Sequence, residues 1–274
     1  MPSTDRTGAP LEPIRRMLAE GARLCLFVDF DGTLLDLAET PDAIRVDPSL
    51  PRLLARTRDA LDGALAVVSG RPIEEIDALL APLKLPAAGV HGFERRDGLG
   101  TIHRVPPRRE ALEPVRHQFV EFVATDPRLL LEDKGESLAL HYRRAPELGT
   151  SVLAFAARML EQLRPGFSLQ PGDQVVELKS RLFSKGSAVQ DFLREPPFAA
   201  RAPLAIGDDF TDVDAFRVVE YLGGLSIAVG SRIRGRERLQ NPAQVHDFLA
   251  DLVDELGRHA GATATAPARH GLAS

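Results

Sequence analysis

Five short apolar runs, each closed by glycine, aspartate or serine, constrain the chain most: LCLFVDFDG from Leu24, ALAVVSGR from Ala64, PAAGVHG from Pro86, PLAIGDD from Pro203 and LSIAVG from Leu225. An apolar run without polar alternation fits a strand buried on both faces, as in a parallel sheet. Segments with helical spacing lie between them, at Pro48 to Ala60, Pro72 to Leu80 and Lys185 to Arg194. Alternating strand and helix predict an α/β fold with a Rossmann-like open parallel sheet. Ligands of such sheets bind beyond the carboxyl ends of the strands, where Asp29, Asp31, Ser69, Asp208 and Asp209 all fall.

The rhythm breaks between about Arg104 and Leu182. This stretch reads as a helix from Arg108 to Ala124, strands at Leu129 to Glu132 and Ser137 to Tyr142, and a second helix from Glu147 to Leu163. Two more strands follow at Phe167 to Gln170 and Gln174 to Leu178. Helices and paired strands without parallel crossovers predict an inserted α+β domain at 104–182. The core is then discontinuous, built from 11–103 and 183–259. The small, polar, unpatterned ends, 1–10 and 260–274, are expected to be disordered.

A chain of 274 residues with 44% hydrophobic content can bury a sizeable core. Its net charge of −5, with basic residues scattered among acids, argues against a nucleic-acid partner. No apolar stretch approaches the ~20 residues that span a bilayer, and no apolar segment follows the charges of the amino terminus. A cytoplasmic protein with no membrane partner is the expectation. The single cysteine, Cys25, sits inside an apolar run and is expected to be buried as a small hydrophobe. Without a heptad run, monomer is the default.

Asp29 and Asp31, in Asp29-Phe30-Asp31-Gly32-Thr33, follow the first strand directly. Two carboxylates at a strand mouth repel unless a cation or proton relieves them, and magnesium, a hard cation with oxygen ligands, suits them. A solubilising Asp-Gly turn explains Asp31 but not Asp29. Gly207-Asp208-Asp209-Phe210-Thr211-Asp212 adds three carboxylates to the same edge, making Asp29, Asp31, Asp208, Asp209 and Asp212 the candidate metal set. Thr211 or Asp212 also reads as an amino-terminal cap for a helix from Val213 to Val219. Ser69, before Gly70, offers a hydroxyl to a phosphoryl oxygen. Lys185, opening a helix, can offset the negative charge of a transferring phosphoryl group.

In the order acid pair, serine, lysine and acid cluster, these elements resemble the haloacid dehalogenase superfamily. The resemblance implies Asp29 as nucleophile, Asp31 as general acid and then base, and Ser69 and Lys185 as catalytic partners. It further implies Mg2+ as cofactor, held by Asp29, the Asp31 carbonyl and Asp208, with Asp212 holding a ligand water. LFVDFDGTLLDL, ALAVVSGRP, GVHGFERR, the Glu132-Asp133-Lys134-Gly135 run into SLALHYR, and GDDFTDVDAF look like the trehalose-6-phosphate phosphatase family. That likeness implies a phosphorylated disaccharide as substrate and a cap that closes over the core. The substrate-binding set it implies is Arg71, Glu132, Lys134, His141, Arg143 and Glu177. Alternation in SLALHYR would equally leave His141 and Arg143 facing solvent. His91 reads as a structural residue or a substrate contact. Val213 and Phe93 depart from the family pattern at positions outside the chemistry. The rival readings are a sister phosphatase for sucrose phosphate or a mannosyl phosphoglycerate, a sugar phosphomutase, and a catalytically silent sugar-phosphate-binding module.

Overall fold

A computed structural model describes residues 10–36, 46–104, 109–135, 137–163, 166–172, 174–180 and 183–265. The described residues open with α1 (Leu11–Ala19), whose Leu11, Ile14 and Leu18 share one buried face, and enter the sheet with β1 (Leu24–Val28). All five residues of β1 are buried, as its unbroken apolar run predicts. Then come α2 (Leu50–Ala60), β2 (Leu65–Val68), α3 (Ile73–Leu80) and β3 (Ala87–Gly89). The sheet edge continues with β4 (Glu94–Arg96) and β5 (Ile102–Arg104).

The interposed stretch comprises α4 (Arg109–Val123), β6 (Leu130–Asp133), β7 (Ser137–His141), α5 (Gly149–Leu163), β8 (Phe167–Gly172) and β9 (Val175–Ser180). The core resumes with α6 (Lys185–Phe192), β10 (Ala202–Gly207), α7 (Val213–Tyr221), β11 (Leu225–Val229), β12 (Glu237–Leu239) and α8 (Pro242–Thr265).

The main sheet runs β12-β11-β10-β1-β2-β3-β4-β5, and the second runs β6-β7-β9-β8. From β12 to β3 every pairing is parallel, whereas β4 and β5 pair antiparallel. The expected parallel sheet therefore ends in an antiparallel meander, whose short links need no crossover helix. The second sheet is antiparallel throughout, and its residues pack with those of α4 and α5 into a hydrophobic cluster separate from the main one.

In the main core Phe27 stacks on Phe198 at 5.4 Å between ring centres, and Cys25 is fully buried. Burial pushes the Cys25 thiol up to about 12, so it packs as a neutral hydrophobe. Of the ends expected to be disordered, 1–9 and 266–274 lie outside the described residues. The expectation for 260–265 is corrected: α8 continues to Thr265, through a segment whose alanines favour helix.

Candidate active site

Register fixes where the first acids meet the second. Val28 at the end of β1 is level with Ile206 of β10, and the Asp29 amide donates to the Ile206 carbonyl at 2.9 Å. The Asp29 loop and the Asp208 loop therefore leave the sheet side by side. Gly32 lets them close together: its φ is +80°, and a Cβ there would lie 2.4 Å from Asp208 Oδ2. Thr33 Oγ1 donates to Asp208 Oδ1 at 3.3 Å, which holds the second loop from the first.

Lys185 is the first residue of α6. Ser184 caps that helix, its hydroxyl accepting from the Ser187 amide while the Ser187 hydroxyl accepts from the Ser184 amide. This reciprocal box fixes the helix start. Lys185 Nζ then lies 2.6 Å from Asp29 Oδ1 and 2.7 Å from Asp212 Oδ1. Asp212 Oδ2 accepts from the amides of Asp208 and Asp209, both at 3.1 Å. Asp212 thus ties its own loop to the lysine and gives no side-chain cap to α7; Asp209 caps the short turn Phe210–Asp212.

Asp29, Asp208 and Asp212 are buried, with one carboxylate oxygen from each lying within 4.8 Å of the others. Burial pushes Asp29 well above the usual carboxylate range; Asp212 adds to this and Lys185 opposes it. Asp208 is raised to about 6, by burial first and by Asp212 second. Burial works against the charge of Lys185, yet Asp212 and Asp29 overcome it and hold the ammonium above its ordinary value. Three buried carboxylates share one ammonium, so full ionisation needs further positive charge. Hard oxygen donors so arranged fit a divalent cation. Asp31 and Asp209 do not bring their side chains into this trio.

Asp31 instead forms a bidentate pair with Arg71, at 2.6 and 2.8 Å, and Arg71 also reaches Glu75 at 3.1 Å. Ser69 is buried at the end of β2, its Oγ accepting from the Arg71 amide at 3.1 Å. Gly70 leaves room for the His91 ring, which a Cβ would meet at 2.8 Å. His91 has a left-handed backbone (φ 55°), and its Nε2 stands 3.6 Å from Glu177 Oε2 on β9. Burial, against Glu177 and aided by Lys185, lowers its pKa to about 3 and keeps the ring neutral.

A cleft of about 590 Å³ lies between the two sheets. Asp29, Asp31, Ser69, Arg71, Lys185 and Asp208 line it from the core, and Glu132, Lys134, His141 and Glu177 from the antiparallel sheet. Lys134 Nζ stands 3.7 Å from Glu177 and 3.9 Å from Glu132, while His141 Nε2 pairs with Glu132 at 3.0 Å. The His141 hydrogen bond holds Glu132 below its ordinary range. Arg143 is exposed and outside the lining, because β7 ends at His141 and the chain turns away. Gln170, Val175 and Arg232 line the cleft too and escaped the sequence reading. Gln170 and Val175 sit in an unremarkable hairpin, and Arg232 is one arginine of four between Arg232 and Arg238. Only the fold separates such residues from ordinary surface.

The same architecture occurs in a haloacid dehalogenase-like hydrolase from Bacteroides thetaiotaomicron (TM-score 0.61, 13% identity, 86% of this chain and 99% of that one). The C. albicans trehalose-6-phosphate phosphatase C-terminal domain superposes with TM-score 0.77 at 20% identity, covering 92% and 98%. With the acid and lysine cluster at the sheet edge, this is the haloacid dehalogenase type of fold. The trehalose-phosphatase family model matches residues 27–247. A probable trehalose-phosphate phosphatase of Sinorhizobium fredii (strain NBRC 101917 / NGR234) is 44% identical over 78% of this chain and 80% of its own length. The chain belongs to the trehalose-phosphatase family, and is thereby a phosphoric monoester hydrolase.

Proposed function

We propose that the chain hydrolyses trehalose 6-phosphate to trehalose and inorganic phosphate through two displacements at Asp29. One observation carries this reading: Lys185 bridges Asp29 and Asp212 beneath a cleft whose other wall presents Glu132, Lys134 and Glu177. Asp29 Oδ attacks phosphorus; its bond to phosphorus forms as the bond to the sugar oxygen breaks, and Asp31, protonated in the substrate complex, gives its proton to that oxygen and becomes a carboxylate. Asp31 then takes a proton from water, whose oxygen attacks the aspartyl phosphate and frees Asp29 as a carboxylate. Lys185 holds Asp29 in place and offsets negative charge on the phosphoryl oxygens. Ser69, whose oxygen already accepts from the Arg71 amide, has its hydroxyl proton left to donate to a phosphoryl oxygen. Arg71 holds Asp31 at the mouth of the cleft.

Magnesium held by Asp29, Asp208 and Asp212, with the Asp31 carbonyl, would supply the positive charge that lets an anionic carboxylate and a phosphate dianion share the site. Glu132 and Glu177 accept hydrogen bonds from sugar hydroxyls and Lys134 donates to them. The carboxylates, lysine and serine needed for turnover are all gathered at one edge, which supports an active enzyme over a silent binding module.

Phosphate release is measured from trehalose 6-phosphate, sucrose 6-phosphate and glucose 6-phosphate, with magnesium and then with excess EDTA. A magnesium-dependent preference for the trehalose ester is expected; preference for another ester overturns the substrate and keeps the chemistry. Asp29→Asn is expected to lower turnover about a thousandfold or more, with the fold intact by circular dichroism. Retained turnover would remove Asp29 as nucleophile.

A further inference from the structure

Four lysine and arginine side chains line the catalytic cleft: Arg71, Lys134, Lys185 and Arg232. Three are already held by carboxylates. Arg71 pairs with Asp31, Lys134 stands between Glu132 and Glu177, and Lys185 lies between Asp29 and Asp212. Arg232 has no ion-pair or hydrogen-bond partner among the described residues. Eight aspartate and glutamate side chains line the same cleft, so a phosphate dianion enters a strongly acidic space. A cation engaged with a carboxylate must loosen that pair to meet the dianion, whereas Arg232 need not.

Topology gives Arg232 its approach. It follows β11, two places from β1 in the sheet, with β10 and its Asp208 loop between them. That separation is about 10 Å, and the long arginine side chain reaches inward across it. A second cleft of about 310 Å³, lined by Gly32, Ser231 and Asn241, adjoins the first, and the two share Asp208 and Arg232. Arg232 therefore stands at the junction, on the side of Asp29 opposite Ser69 and Arg71. Its planar guanidinium offers two parallel N–H donors, a geometry suited to phosphate oxygens.

We infer that Arg232 binds the phosphoryl group of the substrate, and the inorganic phosphate left after hydrolysis, from the β11 side of the cleft. This rests on the phosphatase reading above, and extends it to a residue outside the acid, serine and lysine elements. Arg232 is a binding residue in this scheme and takes no part in proton transfer.

The test compares the 274-residue chain with Arg232→Ala, Arg232→Lys and Arg234→Ala, the last removing an exposed charge that lines neither cleft. Kinetics are read from trehalose formation, so that inorganic phosphate can be added as inhibitor. Phosphate binding to the magnesium-loaded protein is measured separately by calorimetry. Arg232→Ala is expected to raise both KM and the phosphate inhibition constant about tenfold with kcat nearly unchanged, as for one charge-assisted contact. Arg232→Lys should recover part of the loss, and Arg234→Ala should match the parent. Parent-like values in Arg232→Ala, or equal losses in Arg232→Ala and Arg234→Ala, would overturn the inference. If the parent leaves trehalose 6-phosphate untouched, the substrate assignment fails, and the calorimetric comparison still decides Arg232.

Discussion

The two walls of the cleft are built differently. On the core wall, Asp29, Asp208, Asp212 and Lys185 are buried and locked by backbone amides, a capped helix and a glycine that admits no side chain. On the antiparallel-sheet wall, Glu132, Lys134 and His141 are only partly covered, and their pairs reach 3.9 Å. The difference separates two demands. Bond making needs charges fixed before the substrate arrives, because reorganisation during the reaction raises the barrier. Recognition of hydroxyls tolerates looser groups that exchange one partner for another.

Breaking the core wall should have the largest effect. Lys185→Met leaves Asp29 and Asp212 buried without their cation, with an expected cost of about 3–5 kcal/mol in stability. A loss in kcat of about a hundredfold to a thousandfold should accompany it. Denaturant midpoints and steady-state rates check both, and a fall in rate without loss of stability would mean the ammonium is not the clamp its distances describe. The other wall should respond more mildly, and in a different constant. Lys134→Ala is expected to raise KM about tenfold with kcat changed little, while Arg143→Ala stays within about twofold because its side chain lies outside the cleft. Substrate titrations of the pair test this; equal effects would erase the distinction between lining and exposed residues.

The smallest expected effect concerns protons and metal at the core wall. Asp208 titrates near 6 in the metal-free protein, above its unfolded value, so the folded state takes up a proton as pH falls through about 6. That proton stabilises the folded state on the acid side, and its contribution fades as pH rises through 6. Magnesium bound at Asp208, as proposed, would have to displace it. The gain in unfolding temperature on adding magnesium should therefore be larger at about pH 7.5 than at about pH 5, at roughly 2–4 °C per kcal/mol of binding. A gain independent of pH would show that the cation binds away from the trio.

The core wall was legible because its residues lie in contiguous words at strand ends. LCLFV announces a strand buried on both faces, and Asp29 follows it directly. Ser69 and Asp208 repeat that syntax after β2 and β10. What could not be read was the partner each side chain would choose. Asp31 turned to Arg71 and away from the trio of Asp29, Asp208 and Asp212, and Asp212 tied its own loop where a helix cap was expected. These choices depend on which strands become neighbours. Glu132, Lys134 and Glu177 came through resemblance, since alternation along β7 and β9 says which residues share a face but not what that face meets. Arg232 carried no local signal, because its place follows from β11 lying two strands from β1.

The parallel pairing of β1 with β10 has a consequence for synthesis. The strand that leads into Asp29 is made before the whole antiparallel unit, while its neighbour and the acids beyond it are made only after that unit. No amino-terminal fragment ending before Asp212 contains the full cluster. A fragment ending before Ala202 also leaves one edge of β1 without the partner that satisfies its backbone. On the chemistry proposed above, a nascent chain that lacks these acids is expected to be inactive. Its chemistry should switch on late and all at once, paced by the closing of a contact between distant parts of the sequence.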